Sequence, residues 1–196
     1  MHPAWQARGL SDSAFQYFEA KADGGRIWLP LHNPYGDKIG NQAWDPRPNP
    51  QKKYQIYLDD GHSLNLSPFN LHRAKQHMTE LGFGLIVEGT LDCVACWDVG
   101  LPNTVSTFGT QGMSLEKATI VLRYAPQIII FPDMDQVGLQ AADQLQARLS
   151  SLGASVTVVK YDIDTIRAKD PDKLRQEYGP DALYNLVMNV RKKMIG

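Results

Sequence analysis

The chain has 196 residues, enough to bury a sizeable core and to hold one large domain or two small ones. Apolar residues make up 43% and charged residues 21%, which excludes a disordered tail, and no apolar run reaches bilayer-spanning length. With 20 Lys and Arg against 21 Asp and Glu the net charge is −1, which excludes strong polyanion binding over the whole surface and leaves only a local basic groove for such a ligand.

Two cysteines without a disulfide spacing, and a start (Met1-His2-Pro3-Ala4-Trp5) without a charged then apolar leader, predict a cytoplasmic protein with no membrane association. In chain order, residues 7–20 read as a helix capped by Ser11, with Ala14, Phe15 and Phe18 on one face, ended at Gly24-Gly25. Arg26 to Leu31 and Lys38 to Ala43 read as strands joined by the turn Asn33-Pro34-Tyr35-Gly36-Asp37. A proline-rich loop at 45–50 precedes a third strand, Tyr54 to Leu58, and a helix from Phe69 with Leu71, Ala74, Met78 and Leu81 stops at Gly82. These segments predict an α+β subdomain over residues 1–82.

From residue 83 strands and helices alternate. Strands at 84–88, 104–107, 127–131 and 155–160 are separated by helices near 91–99, from Ser114 (Leu115, Ala118, Leu122 and Ala125 on one side), and from residue 136 with Val137, Ala141, Leu145 and Leu149 repeating. A last helix runs from about Asp181 to Met194. Near-continuous apolar strands in this alternation predict an α/β domain over 83–196, with a buried parallel sheet flanked by helices.

The chemistry concentrates in acids. Glu88 and Asp92 follow the strand Leu85-Ile86-Val87, and Asp133 and Asp135 follow Ile128-Ile129-Ile130-Phe131. Parallel neighbours would deliver both pairs to one sheet edge, where open α/β sheets form their sites. Crowded carboxylates repel unless a cation holds them, and Mg²⁺ (or Mn²⁺) with its preference for oxygen suits the set. A third pair, Asp170 and Asp172 around Pro171, lies beyond the last strand, and periodicity does not bring it to that edge. Each acid also has a structural reading: Glu88 and Asp92 could open a helix, Asp135 could cap one, and Asp170-Pro171 has the form of an N-cap and first helical residue. The coincidence of pairs at neighbouring strand ends favours a site.

The order Glu88-Gly89-Thr90-Leu91-Asp92, Gly109-Thr110, Asp133-Met134-Asp135-Gln136-Val137-Gly138, Asp170-Pro171-Asp172 resembles the Toprim domain, and within it the catalytic, RNA-polymerising core of DnaG-type bacterial and phage primases. Upstream, Arg26-Ile27-Trp28-Leu29-Pro30-Leu31, Ile39-Gly40 and Lys53-Tyr54 are similar to the subdomain that precedes Toprim in primases. The resemblance implies a Toprim fold (a Rossmann-like parallel sheet) preceded by a small α+β primase subdomain. It implies Glu88, Asp133 and Asp135 as catalytic groups, and Glu88, Asp92, Asp133, Asp135, Asp170 and Asp172 around Mg²⁺ or Mn²⁺. Arg26, Lys52, Lys53, Gly109 and Thr110 would contact nucleotide or template. The implied activity is a DNA primase, a DNA-directed RNA polymerase joining ribonucleoside triphosphates on single-stranded DNA, with a replicative helicase as a partner.

The chain departs from the pattern at Asn41-Gln42-Ala43-Trp44, where the family has Gly-Gly-Arg, at Gln136, where a cation is common, and at Leu64 and Asn65, where a lysine is expected. These changes point to a divergent phage or mobile-element version. Cys93 and Cys96 cannot supply a zinc ribbon and read as core, and the five histidines have no ligand spacing. Trp28, Tyr35, Trp44, Tyr54 and Tyr57 read as core or as base-stacking surfaces. Two rivals stand beside the primase: a Toprim nuclease, and a non-catalytic Toprim module that binds nucleotide or a partner. A topoisomerase needs strand-passing domains for which the chain has no room.

Overall fold

Two four-stranded sheets organise the described part of the chain, which in this computed structural model comprises residues 2–65, 67–109 and 114–195, with Leu115 described by its backbone alone. The first sheet is antiparallel in chain order: β1 (Lys21–Asp23), β2 (Arg26–His32), β3 (Lys38–Trp44) and β4 (Tyr54–Leu58). Gly24 and Gly25, at φ of 57° and 73°, form the two-residue β1–β2 hairpin turn, because such a turn needs left-handed backbone at both positions. The Asn33 side chain accepts the Tyr35 and Asp37 N–H groups at 2.9 and 3.0 Å and sets the β2–β3 turn. On β2 the alternation is complete: Ile27, Leu29 and Leu31 are buried, and the residues between face outward.

The second sheet is parallel, in the order β6-β5-β7-β8, from β5 (Gly84–Val87), β6 (Thr104–Ser106), β7 (Gln127–Phe131) and β8 (Ser155–Val158). From β5 the chain crosses to β6 on one side and later to β7 on the other, so the topological switch point lies between β5 and β7. Leu85, Val87, Ile129 and Phe131 point to a core shared with α4 (Thr90–Asp98), α8 (Pro180–Ile195) and the inner face of the first sheet. Ile86, Ile128 and Ile130 point the other way, onto α3 (Leu71–Leu81), α5 (Leu115–Leu122) and α6 (Gln136–Ser151). Among the described residues no helix is long and apolar enough to cross a membrane.

Several expectations are corrected. The single helix over 7–20 is two, α1 (Pro3–Ala7) and α2 (Asp12–Tyr17). Gly9 at φ 69° breaks between them, and Ser11 caps α2 by accepting the Ala14 N–H at 3.0 Å. Strand β1 and helix α7 (Pro171–Tyr178) are additions to the elements read from periodicity. On α6 the buried side is Gly138, Ala142 and Leu149, while Val137 is 63% exposed. A strict four-residue repeat drifts around a helix of 3.6 residues per turn, so the stripe through Val137, Ala141, Leu145 and Leu149 cannot keep to one face. On α5 the expected side holds, with Ala118 and Ala125 buried and Leu122 packed against them, and Val121 joins it.

Candidate active site

Parallel pairing sets Val87 beside Phe131, so Glu88 and the Pro132-Asp133 step leave the sheet together at the switch point. Gly109 donates its N–H to the Glu88 carbonyl at 3.1 Å, which joins the loop after β6 to the same edge. The Glu88 carboxyl is half-buried. Burial first, then the charges of Asp133 and Asp135, push its pKa up to about 7, against a hydrogen bond from the Asp133 backbone N–H. Asp133 is pushed up to about 6 by burial and by Asp170, with Lys169 opposing. Asp135 caps α6, its carboxylate accepting the Gly138 N–H at 2.8 Å, and its charge still reaches Glu88.

Asp92 is buried one turn into α4 and accepts the Asp172 N–H at 3.1 Å. Burial, Asp170 and Asp133 hold its carboxyl well above the ordinary range. Gly89 makes room for it: a β-carbon there would collide with the Asp92 carboxylate.

The third acidic pair divides. Asp170 caps α7 through the Lys173 N–H at 2.7 Å, and its charge acts on Asp92 and Asp133. It reaches the edge because the Met134 N–H donates to the Lys169 carbonyl at 2.6 Å, tying the loop after β7 to the start of α7. Asp172 is 2% exposed and points away into a buried ion cluster with Arg8, Arg175 (2.9 Å) and the Gln176 amide (2.6 Å). The site edge thus brings together Glu88, Asp92, Asp133, Asp135 and Asp170, and the Asp172 carboxylate serves the scaffold.

The cations sort in a similar way. Lys169, which periodicity did not single out, lies 3.5 Å from Asp170; although burial disfavours its charge, Asp170 and Asp133 hold its pKa above the ordinary value. Lys53 is held below its ordinary value by partial burial and by Arg8 and Lys169, which places it beside the same cluster. Lys52 is exposed in the segment before β4. Arg26 turns to the first sheet instead, donating to the Gln55 side chain at 2.8 Å with Asp45 at 3.8 Å. Thr110 lies outside the described residues. Of the aromatics, Trp44 is buried under the Arg8 guanidinium, and Trp28 and Tyr57 meet on the outer face at 5.4 Å.

A cavity of about 430 Å³ runs from Glu88, Thr107 and Pro132 along α6 toward Arg148; of the five acids only Glu88 lines it. Among the described residues no three His, Cys, Asp or Glu side chains converge into a ready metal cage. The donors at the edge are nevertheless all carboxylate oxygens whose mutual repulsion a hard cation would relieve. That chemistry fits Mg²⁺, which commonly takes only one or two carboxylates and completes its shell with water and phosphate.

The sequence matches the Toprim-like family over residues 85–175. The DNA primase of Aquifex aeolicus is 26% identical over 166 residues, covering 83% of this chain and 32% of the relative. The DNA primase of Staphylococcus aureus is 30% identical over 195 residues, covering 96% of this chain and 30% of the relative. The chain therefore spans about a third of the length of these curated relatives. Among solved structures, the zinc-binding and RNA polymerase domains of the Aquifex aeolicus primase superpose with a TM-score of 0.81 at 21% identity, covering 94% of this chain and 54% of that one. A DnaG primase catalytic domain bound to single-stranded DNA gives 0.79 at 19% identity, covering 95% and 70%.

Proposed function

This is a Toprim-domain chain with the fold of the DnaG-type primase catalytic core, and from that premise we propose that it is a metal-dependent nucleotidyl transferase that copies single-stranded DNA into short RNA. The observation that carries the reading is the position of Glu88, at the switch point, half-buried, with a pKa near 7 beside Asp133 and Asp135. A carboxylate balanced near neutrality can take a proton at working pH. In this reaction the 3′-hydroxyl oxygen of one ribonucleotide attacks the α-phosphorus of the next. Its proton goes to Glu88, the α–β phosphoanhydride bond breaks, and pyrophosphate leaves. Asp133, Asp135 and Asp170 would hold the divalent ion, with Asp92 behind them. Bound there, Mg²⁺ or Mn²⁺ supplies positive charge to the triphosphate and the leaving pyrophosphate. Lys169 and Lys53 stand near the carboxylates and would meet the phosphates of nucleotide or template, and template, helicase partner and cytoplasmic location follow from the same reading.

The non-catalytic reading draws on one observation, the lack of a three-carboxylate cage among the described residues. One assay separates the possibilities: the protein with single-stranded template, labelled ribonucleotides and Mg²⁺ or Mn²⁺. Template-dependent short RNA, lost in Glu88→Gln and Asp133→Asn while both variants stay folded, is the expected result. Shortened template would indicate the nuclease, and no product in either metal would overturn the polymerase reading.

A further inference from the structure

Strand β4 is the outer edge of the first sheet, and its large side chains are exposed on both faces: Tyr54 37%, Ile56 38%, Tyr57 43% and Leu58 38%. Edge strands are ordinarily blunted by a charge, a proline or a bulge, because a bare edge is a template for pairing. Between Tyr54 and Leu58 there is no charged residue and no proline, and the register with β3 runs without a shift. The charges stand at the two ends instead, Lys52-Lys53 before the strand and Asp59-Asp60 after it, all four exposed.

The pattern is self-complementary. When a second copy of β4 is laid antiparallel with Ile56 opposite Ile56, the Lys52-Lys53 end of each copy meets the Asp59-Asp60 end of the other, twice over by symmetry; Asp60 stands in the turn closed by the His62 N–H on the Asp59 carbonyl, so the match is one of charged ends. Tyr54 faces Leu58 on one face of the joined sheet, and Gln55 faces Tyr57 on the other. The backbone allows this register. The Asp45 N–H donates to the Lys53 carbonyl at 2.9 Å, and the Asp59 N–H donates to the Ile39 carbonyl at 3.0 Å. Alternation then turns the polar groups of residues 53, 55, 57 and 59 toward β3 and leaves those of Tyr54, Ile56 and Leu58 pointing outward. A dyad at Ile56 pairs outward groups with outward groups. Neighbouring allowed registers, centred on 55 or 57, keep that match but lose the match of both lysines to both aspartates. Charges placed only to keep the edge soluble would repel a second copy; here antiparallel copies attract, and parallel in-register copies repel.

We propose that two copies of this chain associate through β4, edge to edge and antiparallel about Ile56, into one continuous eight-stranded sheet. The contact is isologous, so it closes as a two-fold dimer rather than growing into a fibre. Lys53 also stands beside the carboxylates of the proposed active site, so the two readings share that residue, but association is measured without substrate and fails or succeeds apart from catalysis.

Sedimentation velocity of the whole chain, from about 1 to about 200 µM, covers the range in which an interface this small is populated. The expected result is a concentration-dependent shift from the 21.9 kDa monomer to the dimer. Ile56→Lys sets two ammonium groups at the dyad, and Asp59→Lys with Asp60→Lys turns every end pair into a like-charge pair. Each should weaken association by about tenfold or more while far-UV circular dichroism is unchanged. Adding Lys52→Asp and Lys53→Asp to the second variant restores complementarity. That four-fold variant should dimerise with itself and not with the natural chain. Amide exchange gives a readout that does not depend on any variant, since the Tyr54, Ile56 and Leu58 N–H groups should become protected as concentration rises. A monomer throughout the range, or a dimer indifferent to both Ile56→Lys and the aspartate reversal, would overturn the proposal.

Discussion

Replacing Glu88 by glutamine should stabilise the metal-free protein, with a gain that grows from about pH 4.5 and is full above about pH 7. In the folded state the Glu88 pKa is raised from 4.5 to about 7 by burial and by Asp133 and Asp135. The folded state therefore holds a proton that the unfolded chain releases, and stability falls as pH rises from about 4.5 through about 7, then levels. A rise of about 2.5 corresponds to ~3 kcal/mol at 1.36 kcal/mol per unit, and screening at a half-buried site reduces it to about 1–2 kcal/mol. Glutamine keeps the shape without the charge. At pH 8 in EDTA, Glu88→Gln should melt about 3–6 °C above the natural chain, taking roughly 2–4 °C per kcal/mol for a chain of this size. At pH 4, below both pKa values, Glu88 is largely protonated in the folded and the unfolded chain alike, and the two should melt together. Thermal unfolding followed by circular dichroism at both pH values makes the test. A lower melting temperature for the variant at pH 8, or an equal gain at both, would refute the electrostatic account of this edge.

The same reasoning predicts that millimolar Mg²⁺ raises the melting temperature more at pH 8 than at pH 5, because Asp133, with a pKa near 6, and Glu88 must be ionised to hold it; in Asp133→Asn the increment should shrink, as calorimetric scanning can read. Asp172→Ala leaves the Arg8 and Arg175 guanidinium groups facing each other without their shared carboxylate, and should cost about 3–5 kcal/mol in urea unfolding. Gly138→Ala puts a β-carbon against the Asp133 carbonyl, so it should destabilise the chain by about 1–3 kcal/mol and depress the proposed primer synthesis although every carboxylate is retained.

The part of this architecture legible in the sequence is the part fixed by strand burial. The runs Leu85-Ile86-Val87 and Ile128-Ile129-Ile130-Phe131 read as central parallel strands, and acids placed directly after parallel neighbours emerge at one edge. What lay beyond reach depends on contacts without a period. The Met134–Lys169 hydrogen bond that draws Asp170 in, and the Lys169 charge beside it, join segments 35 residues apart with no repeating signal between them. The α1–α2 break was within reach, because Gly9 and the Ser11 cap are both visible in the sequence. The helical face of Ala14, Phe15 and Phe18 begins only after Ser11, and the Gly9 carbonyl, freed by the break, accepts from Arg175 at 2.9 Å. The division of Asp170 from Asp172 was also hidden: one cap and one first-turn acid, two residues apart, leave a helix start on different sides.

The glycines of the two acidic motifs carry a related lesson. Gly89 has φ of −94° and Gly138 lies within a regular helix, so neither position demands a left-handed backbone. What excludes a side chain at each is a neighbour, the Asp92 carboxylate at Gly89 and the Asp133 carbonyl at Gly138. In both motifs the glycine lets a helix start fold tightly against the strand end that bears the acid, so that helical N–H groups and carboxylates share one small volume. This crowding is the physical source of the raised pKa values, since it desolvates the acids and brings like charges together. The spacing between acid and glycine thus encodes the electrostatics of the edge as directly as the acids do, and a chain that kept every carboxylate but lost either glycine would have lost the site's shape.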